Sequence, residues 1–292
     1  MWSRHILIGI ILFVVCFILY YLQTRFSFEA NVMFYDSFPI NTSIHHTAII
    51  LTKTPSIKVL KHLNALLNVG IDAFVMCDQD PSNFINSTNR ILYISDEQLA
   101  LYGLTRNRVW DRVFVWLYNQ SSIDYVWLME EDVTWSNVRY MVKLFNVYAN
   151  NPADLLSRNI IYRNKHTLGW MWWPTTSLKL FPEKKWSGSL NMLSRVSRRL
   201  IKAHQYYTLQ LLNETKQNNA SKIDSNYYYQ EFFIPTVANM FNLKMLIYDH
   251  SLMEVHVSSL TENDIRTLLA KGKHIFHAVK HDSQLLINAT QY

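Results

Sequence analysis

The sequence predicts an α/β protein: a mostly parallel, Rossmann-type central sheet flanked by helices and preceded by one N-terminal membrane-spanning helix. Three observations predict it. Strand-like apolar runs alternate with segments of helical spacing through the first half of the chain, the pattern of parallel strands joined by crossover helices. One of those runs, Tyr125-Val-Trp-Leu-Met129, ends abruptly in three consecutive carboxylates, Glu130, Glu131 and Asp132. The chain also opens on an uncharged apolar segment, Ile6 to Leu22, with Arg4 and His5 before it and Arg25 after it.

That first segment is just long enough to cross a bilayer as a helix, and Tyr20 and Tyr21 at its end suit the interface. A cleaved signal peptide is the competing reading, but the bulky Tyr-Tyr-Leu-Gln at its end provides no small-x-small cleavage site, so an uncleaved signal anchor is expected. Six N-x-S/T sequons, at Asn41, Asn86, Asn119, Asn213, Asn219 and Asn288, follow the apolar run and point to a lumenal body. The expected organisation is a cytosolic tail (residues 1–5), a transmembrane anchor (6–22), a stem (23–45) and a lumenal body (46–292) that divides near residue 150. A single-pass type II protein of the Golgi or endoplasmic reticulum membrane fits that order.

The 292 residues provide one large domain or two small ones, and 49% hydrophobic with 14% aromatic residues excludes a disordered chain. Cys16 falls in the apolar segment, which leaves Cys77 alone in the body and no intramolecular disulfide. Cys77 either cross-links a homodimer or is a buried thiol; its place at the end of an apparent strand favours burial. A net charge of +6 suits an anionic ligand or acidic glycans better than nucleic acid, or serves solubility alone.

The first folded element is a strand from His46 to Lys53. Ile57, Leu60, Leu63, Leu66 and Leu67 then recur at helical spacing, and Gly70 closes that helix. Strands follow at Asp72 to Cys77 and at Arg90 to Ile94. A helix from Arg108 to Tyr118 puts Trp110, Val113, Phe114 and Leu117 on one face and leads into the Tyr125 strand; another runs from about Asn137 to Tyr148. Beyond Pro152 the chain becomes aromatic-rich, with a strand-like piece at Leu168 to Pro174, helices at Leu190 to Tyr206 and Glu231 to Phe241, and a polar loop from Asn213 to Ser225.

Glu130 and Asp132 lie two apart, so on an extended chain both face one side. Hard oxygen donors at that spacing suit Mg²⁺ or Mn²⁺, and the carboxyl edge of an open α/β sheet is where ligands bind. A solvated acidic turn is the alternative. Arg195, Arg198, Arg199 and Lys202 lie at helical spacing, either a solvated face or a site for an acidic acceptor or membrane headgroups.

With the apolar anchor, the order of elements and the acid-x-acid triplet together, the body from about Thr47 to Lys280 resembles the GT-A class of Golgi glycosyltransferases. The resemblance implies a GT-A-like fold and transfer of a sugar from a nucleotide-diphosphate donor to a glycan or glycoprotein hydroxyl, with inversion as in the members that use one carboxylate base. It implies Mn²⁺ or Mg²⁺ as cofactor, with Asp132 the principal ligand and His277, in Ile275-Phe-His-Ala-Val-Lys280, a second. Glu stands at position 130 where the class has Asp. Glu130 and Glu131, with Lys53, Asp78, Asp111 and Lys280, are then the donor-binding set. Glu231, in Tyr229-Gln-Glu-Phe-Phe, is the expected general base. Trp172, Trp173 and Gly188 are the expected acceptor contacts. For each there is a plain alternative: surface histidine, strand-ending turn acid, helix-start glutamate favoured by the dipole, aromatic core. A non-catalytic glycan-binding relative and a lumenal metal-dependent hydrolase are the competing functions.

Overall fold

The computed structural model describes residues 46–83, 89–104, 109–175, 178–217, 229–251, 253–255, 259–280 and 286. The expected anchor and stem, and the sequons at Asn41, Asn86, Asn219 and Asn288, lie outside the described residues. Among the described residues, no helix is long and apolar enough to cross a membrane. Asn119 and Asn213 are both exposed.

Through the first half, β1 (Thr47–Thr52), α1 (Ile57–Asn68), β2 (Asp72–Cys77), β3 (Ile91–Leu92), α2 (Asp96–Ala100), α3 (Val109–Tyr118) and β4 (Tyr125–Glu130) alternate. Then come β5 (Thr134–Trp135), α4 (Val138–Val147), β6 (Leu155–Ser157), β7 (Ile161–Tyr162), β8 (Ser187–Gly188) and β9 (Leu193–Ser197). The second half closes with α5 (Arg198–Gln217), α6 (Gln230–Met240), β10 (Met245–Ile247), β11 (Met253–Val255), α7 (Glu262–Ala270) and β12 (Ile275–His277). Local chemistry sets several boundaries. Ser56 and Asn137 cap α1 and α4 through their side-chain oxygens, and α1 is followed by Gly70 at φ +81, a conformation glycine adopts without steric cost.

The seven strands of the main sheet run in the order β10-β6-β9-β4-β1-β2-β3. Only β9 is antiparallel to its neighbours, β4 and β6. β4, at the centre, is apolar on both faces because both are covered. Val126 and Leu128 pack into the core beneath α3, α5 and α6, whereas Trp127 and Met129 pack into the one beneath α1 and α4. On that second face Trp127 stacks on Phe145, with centroids 4.5 Å apart.

Three sequence expectations are corrected. Leu190 to Tyr206 is not one helix: Leu193–Ser197 forms β9, and α5 starts only at Arg198. The arginines are therefore not one helical face. Arg195 is 2% exposed and donates to the backbone carbonyls of Tyr148, Asn151 and Ala153. Arg198 donates to Leu117 and Ile123, and Arg199 grips Asp154 through both carboxylate oxygens. Leu168 to Pro174 is a succession of turns and bends rather than a strand, and α5 carries Asn213 where a loop was expected. Cys77 is fully buried, so it does not cross-link a dimer; burial first, then the Glu131 charge, pushes its thiol up to about 12.

Two buried histidines the site does not use tie stability to pH. His62 on α1 lies 3.1 Å from Thr134 Oγ1 and packs on Trp135, while His204 on α5 stacks on Phe114 and lies 2.8 Å from the Tyr118 hydroxyl. Burial lowers both to about 3 from the ordinary 6.5. Their folded values lie below the unfolded one, so the stability of the neutral forms is complete above about pH 6.5 and is lost as pH falls toward 3. Urea unfolding of the full-length chain is expected to weaken steadily from pH 6.5 to 5, before most carboxylates titrate. His204→Gln is expected to flatten that slope by about one proton's worth; an unchanged slope would refute the assignment.

Candidate active site: an acid–histidine triad beside a lysine-lined groove

β4 lies between β1 and β9, and its last residue, Glu130, stands in register with Leu51 at the end of β1. The chain turns sharply there: the Glu131 N–H donates to the Leu51 carbonyl and the Val133 N–H to the Glu130 carbonyl, each at 3.0 Å. It then enters β5, which joins a small second sheet of order β11-β12-β5. β12 runs antiparallel to β5, pairing Phe276 with Thr134, and one step on the Val279 N–H donates to the Asp132 carbonyl at 3.0 Å. That small sheet lays His277 over the acidic turn.

His277 Nε2 lies 3.2 Å from Asp132 Oδ1 and 3.6 Å from Glu130 Oε2. Donor atoms of Glu130, Asp132 and His277 all fall within 4.8 Å of one another. Burial disfavours the imidazolium, but the hydrogen bonds and charges of Asp132 and Glu130 outweigh it and push His277 up to about 9. Burial likewise opposes ionisation of Asp132, and His277, Lys280 and Lys58 overcome it, holding the carboxyl below its ordinary range. Two carboxylates and one imidazole, converging and only partly buried, are a donor set that fits a divalent cation of the Mn²⁺ or Mg²⁺ type.

Each acid of the triplet has its own support. The Trp110 indole N–H donates to Glu130 Oε1 at 3.1 Å, and the Thr52 hydroxyl donates to Glu131. Asp132 takes His277. Alongside lies a groove of about 590 Å³, within the range of small-ligand sites, formed by the carboxyl ends of β1 and β4 and the start of α1. Lys53, Lys58, Asp78 and Lys280 line it together with the triplet. Lys58 was not anticipated. It is the second residue of α1 and donates to the Val279 carbonyl; the one local signal was Ser56, whose cap starts the helix directly after β1. Asp78 is held from behind by Arg112, whose Nε lies 3.1 Å from Asp78 Oδ1 and whose other nitrogens engage Asp96 and the Ile94 carbonyl.

Other expected site residues lie elsewhere. Asp111 does not line the groove. It sits in the buried first turn of α3, on a separate cavity of about 10 Å³ shared with His204, Thr208 and Gln230. Trp173 is 5% exposed, donates to the Thr167 carbonyl and packs edge-on against Phe232, so it belongs to the core and is no platform. Gly188 makes room for another tryptophan: a Cβ there would lie 2.4 Å from the Trp170 ring. Trp172 does stack on a neighbour, Tyr229, with centroids 3.7 Å apart.

Tyr229 immediately precedes α6, and Glu231, half-buried, is in that helix's first turn. A short loop ties it to the triad. The Ser189 N–H donates to the Glu231 carbonyl, Asn191 Nδ2 to the Gln230 carbonyl, and the Glu130 N–H to the Met192 carbonyl, all within 2.8–2.9 Å. Glu231 and Glu130 thus flank one four-residue connection.

A cation entering the triad must displace the proton that His277 holds below about pH 9. Mn²⁺ affinity of the full-length chain is therefore expected to rise with pH, about tenfold per unit, up to that value and then level off. Calorimetry in buffers of different ionisation enthalpy is expected to count about one proton released per cation at neutral pH; a pH-independent affinity would exclude His277 as a ligand.

No family model matches this chain, and no curated protein matches it. Similar solved structures include a glycosyltransferase involved in glycosylation of the major capsid of PBCV-1, with 10% identity, 81% of this chain and 94% of that chain covered, and a TM-score of 0.39. Another is mouse xyloside xylosyltransferase 1 without ligand, with 11% identity, 80% and 97% covered, and a TM-score of 0.39.

Proposed function

We propose that this chain is a metal-dependent glycosyltransferase that moves a sugar from a nucleotide-diphosphate donor to a hydroxyl of a glycan or glycoprotein, with inversion. The observation that carries this reading is the convergence of Glu130, Asp132 and His277 beside a groove that also presents Lys53, Lys58 and Lys280. A phosphate-bearing ligand needs cationic contacts at one end and a cation site at the other, and the groove brings both together.

A divalent cation, when bound by Asp132, Glu130 and His277, offsets charge on the leaving diphosphate. The three lysines add fixed positive charge along the groove. Asp78, braced by Arg112, offers a carboxylate to donors on the nucleoside. The acceptor sugar rests against the Trp172–Tyr229 stack, and Glu231 removes the acceptor's hydroxyl proton. The freed oxygen bonds to the anomeric carbon as the carbon–oxygen bond to the diphosphate breaks, and the diphosphate leaves with the electron pair. Direct attack inverts the anomeric centre.

The same reading makes the chain a type II membrane protein of the secretory pathway, anchored by residues 6–22 with its body in the Golgi or endoplasmic reticulum lumen. The uncharged apolar run and the six sequons support it.

The test is a screen of UDP- and GDP-sugars with Mn²⁺, using the full-length chain in detergent. One donor is expected to be consumed, and Asp132→Asn is expected to abolish metal-dependent nucleotide binding while leaving the circular dichroism spectrum unchanged. Glu231→Gln is expected to lower kcat by about 10²–10⁴-fold with little change in donor KM. Silence toward every nucleotide would sink the proposal, and binding without turnover would point instead to a glycan-binding relative.

A further inference from the structure

We infer that Trp110 is a positioning residue for the cation site: by holding one oxygen of Glu130, its indole N–H turns the other toward Asp132 and His277. The inference rests on the metal reading of that triad. Trp110 sits in the first turn of α3, is 5% exposed, and packs into the core with Val113 and Phe114. Its Nε1 donates to Glu130 Oε1 at 3.1 Å, and it is the other oxygen, Oε2, that lies 3.6 Å from His277 Nε2. The two carboxylate oxygens are thus divided between two jobs.

The division matters because position 130 carries Glu. The extra methylene gives its carboxylate one more rotatable bond than Asp, and each rotamer frozen on binding costs affinity. A donor wedged in the core removes that freedom beforehand and leaves a single oxygen for the cation. An indole suits the task. It donates and does not accept, so it competes for no cation, and it carries no charge to repel one. A lysine at the same point would neutralise Glu130 and weaken it as a ligand. The geometry fits the way outer contacts orient the side chains that hold a metal. Glu131 is already held by the Thr52 hydroxyl, and Asp132, one methylene shorter, has less freedom to lose.

The probe is Mn²⁺ alone, titrated calorimetrically into the full-length chain and into Trp110→Phe, Glu130→Ala and the double variant. Trp110→Phe is expected to weaken Mn²⁺ binding about 10–100-fold. In the Glu130→Ala background the same change is expected to alter affinity by less than about twofold, because the indole acts only through that carboxylate. An equal loss in both backgrounds would reduce Trp110 to packing and overturn the inference, as would an unchanged affinity in the first. A second measurement needs no metal. In ¹⁵N-tryptophan-labelled chain, the indole resonance that disappears in Trp110→Phe is expected to shift in Glu130→Ala; an unmoved resonance overturns the inference. If that resonance shifts but the unaltered chain binds no Mn²⁺, the metal reading itself has failed, and the positioning role with it.

Discussion

A buried strand that ends in three carboxylates concentrates negative charge at the centre of a sheet, and the local architecture is organised around compensating it. Carboxylates this close cannot all stay ionised at the edge of an apolar core without positive or hydrogen-bonding partners. Each receives one from a different part of the chain: Trp110 from α3, Thr52 from β1, and His277 from the small second sheet. The last is the most telling. β12 reaches Asp132 only because it pairs with β5, the strand that follows the acidic turn, so the sheet has the geometric effect of delivering one imidazole. The proton His277 holds at neutral pH occupies the place where a cation would fit.

The same central strand also joins the two halves. β9 runs antiparallel between β4 and β6, and its approach loop, Ser189 to Met192, hydrogen-bonds to Glu130 on one side and to the start of α6 on the other. A carboxylate in the first turn of α6 is thereby referenced to the acidic triplet through backbone contacts, which are stiffer than contacts between long side chains. Two arginines, Arg195 buried and Arg199 exposed, do comparable work further back. Arg195 satisfies the carbonyls of the turn after α4, and Arg199 closes on Asp154, which also takes the Ser197 hydroxyl and the Lys244 N–H.

These two layers differ in how far they could be read from residues alone. β1, β2, β4 and the helices between them are regular in period, and the abrupt change from Met129 to Glu130 marks the sheet edge without any tertiary knowledge. The arginines were misread because Arg195, Arg198 and Arg199 sit at helical spacing, while the carbonyls they serve lie more than 40 residues away in the case of Arg195. Local pattern carries no trace of such partners. Trp173 was misplaced for the related reason that an aromatic cluster looks the same in sequence whether it lines a surface or fills a core. Asp111 and Arg112 are adjacent in the chain, yet successive helix positions face about 100° apart, so Arg112 reaches Asp78 while Asp111 turns to an internal cavity. His277 was identified through a resemblance; the strand pairing that brings it to Asp132 spans the second half of the chain.

Charge balance in the groove gives the proposed reading its internal logic. Asp78 shares Arg112 with Asp96 behind the groove, and Glu130, Glu131 and Asp132 face Lys53, Lys58 and Lys280. Three acids against three lysines is a neutral set, and a neutral groove has no net attraction for a diphosphate, each of whose phosphates brings a negative charge. The proton on His277 offsets only one of them. On the proposed reading, a divalent cation in its place would offset both, at the end of the groove where charge would build up as the sugar–diphosphate bond breaks. On the proposed reading the carboxylates, which by themselves repel a phosphate, are what would make the groove a phosphate site: they would hold positive charge of the required size, in a position that no additional lysine could occupy without pairing with them.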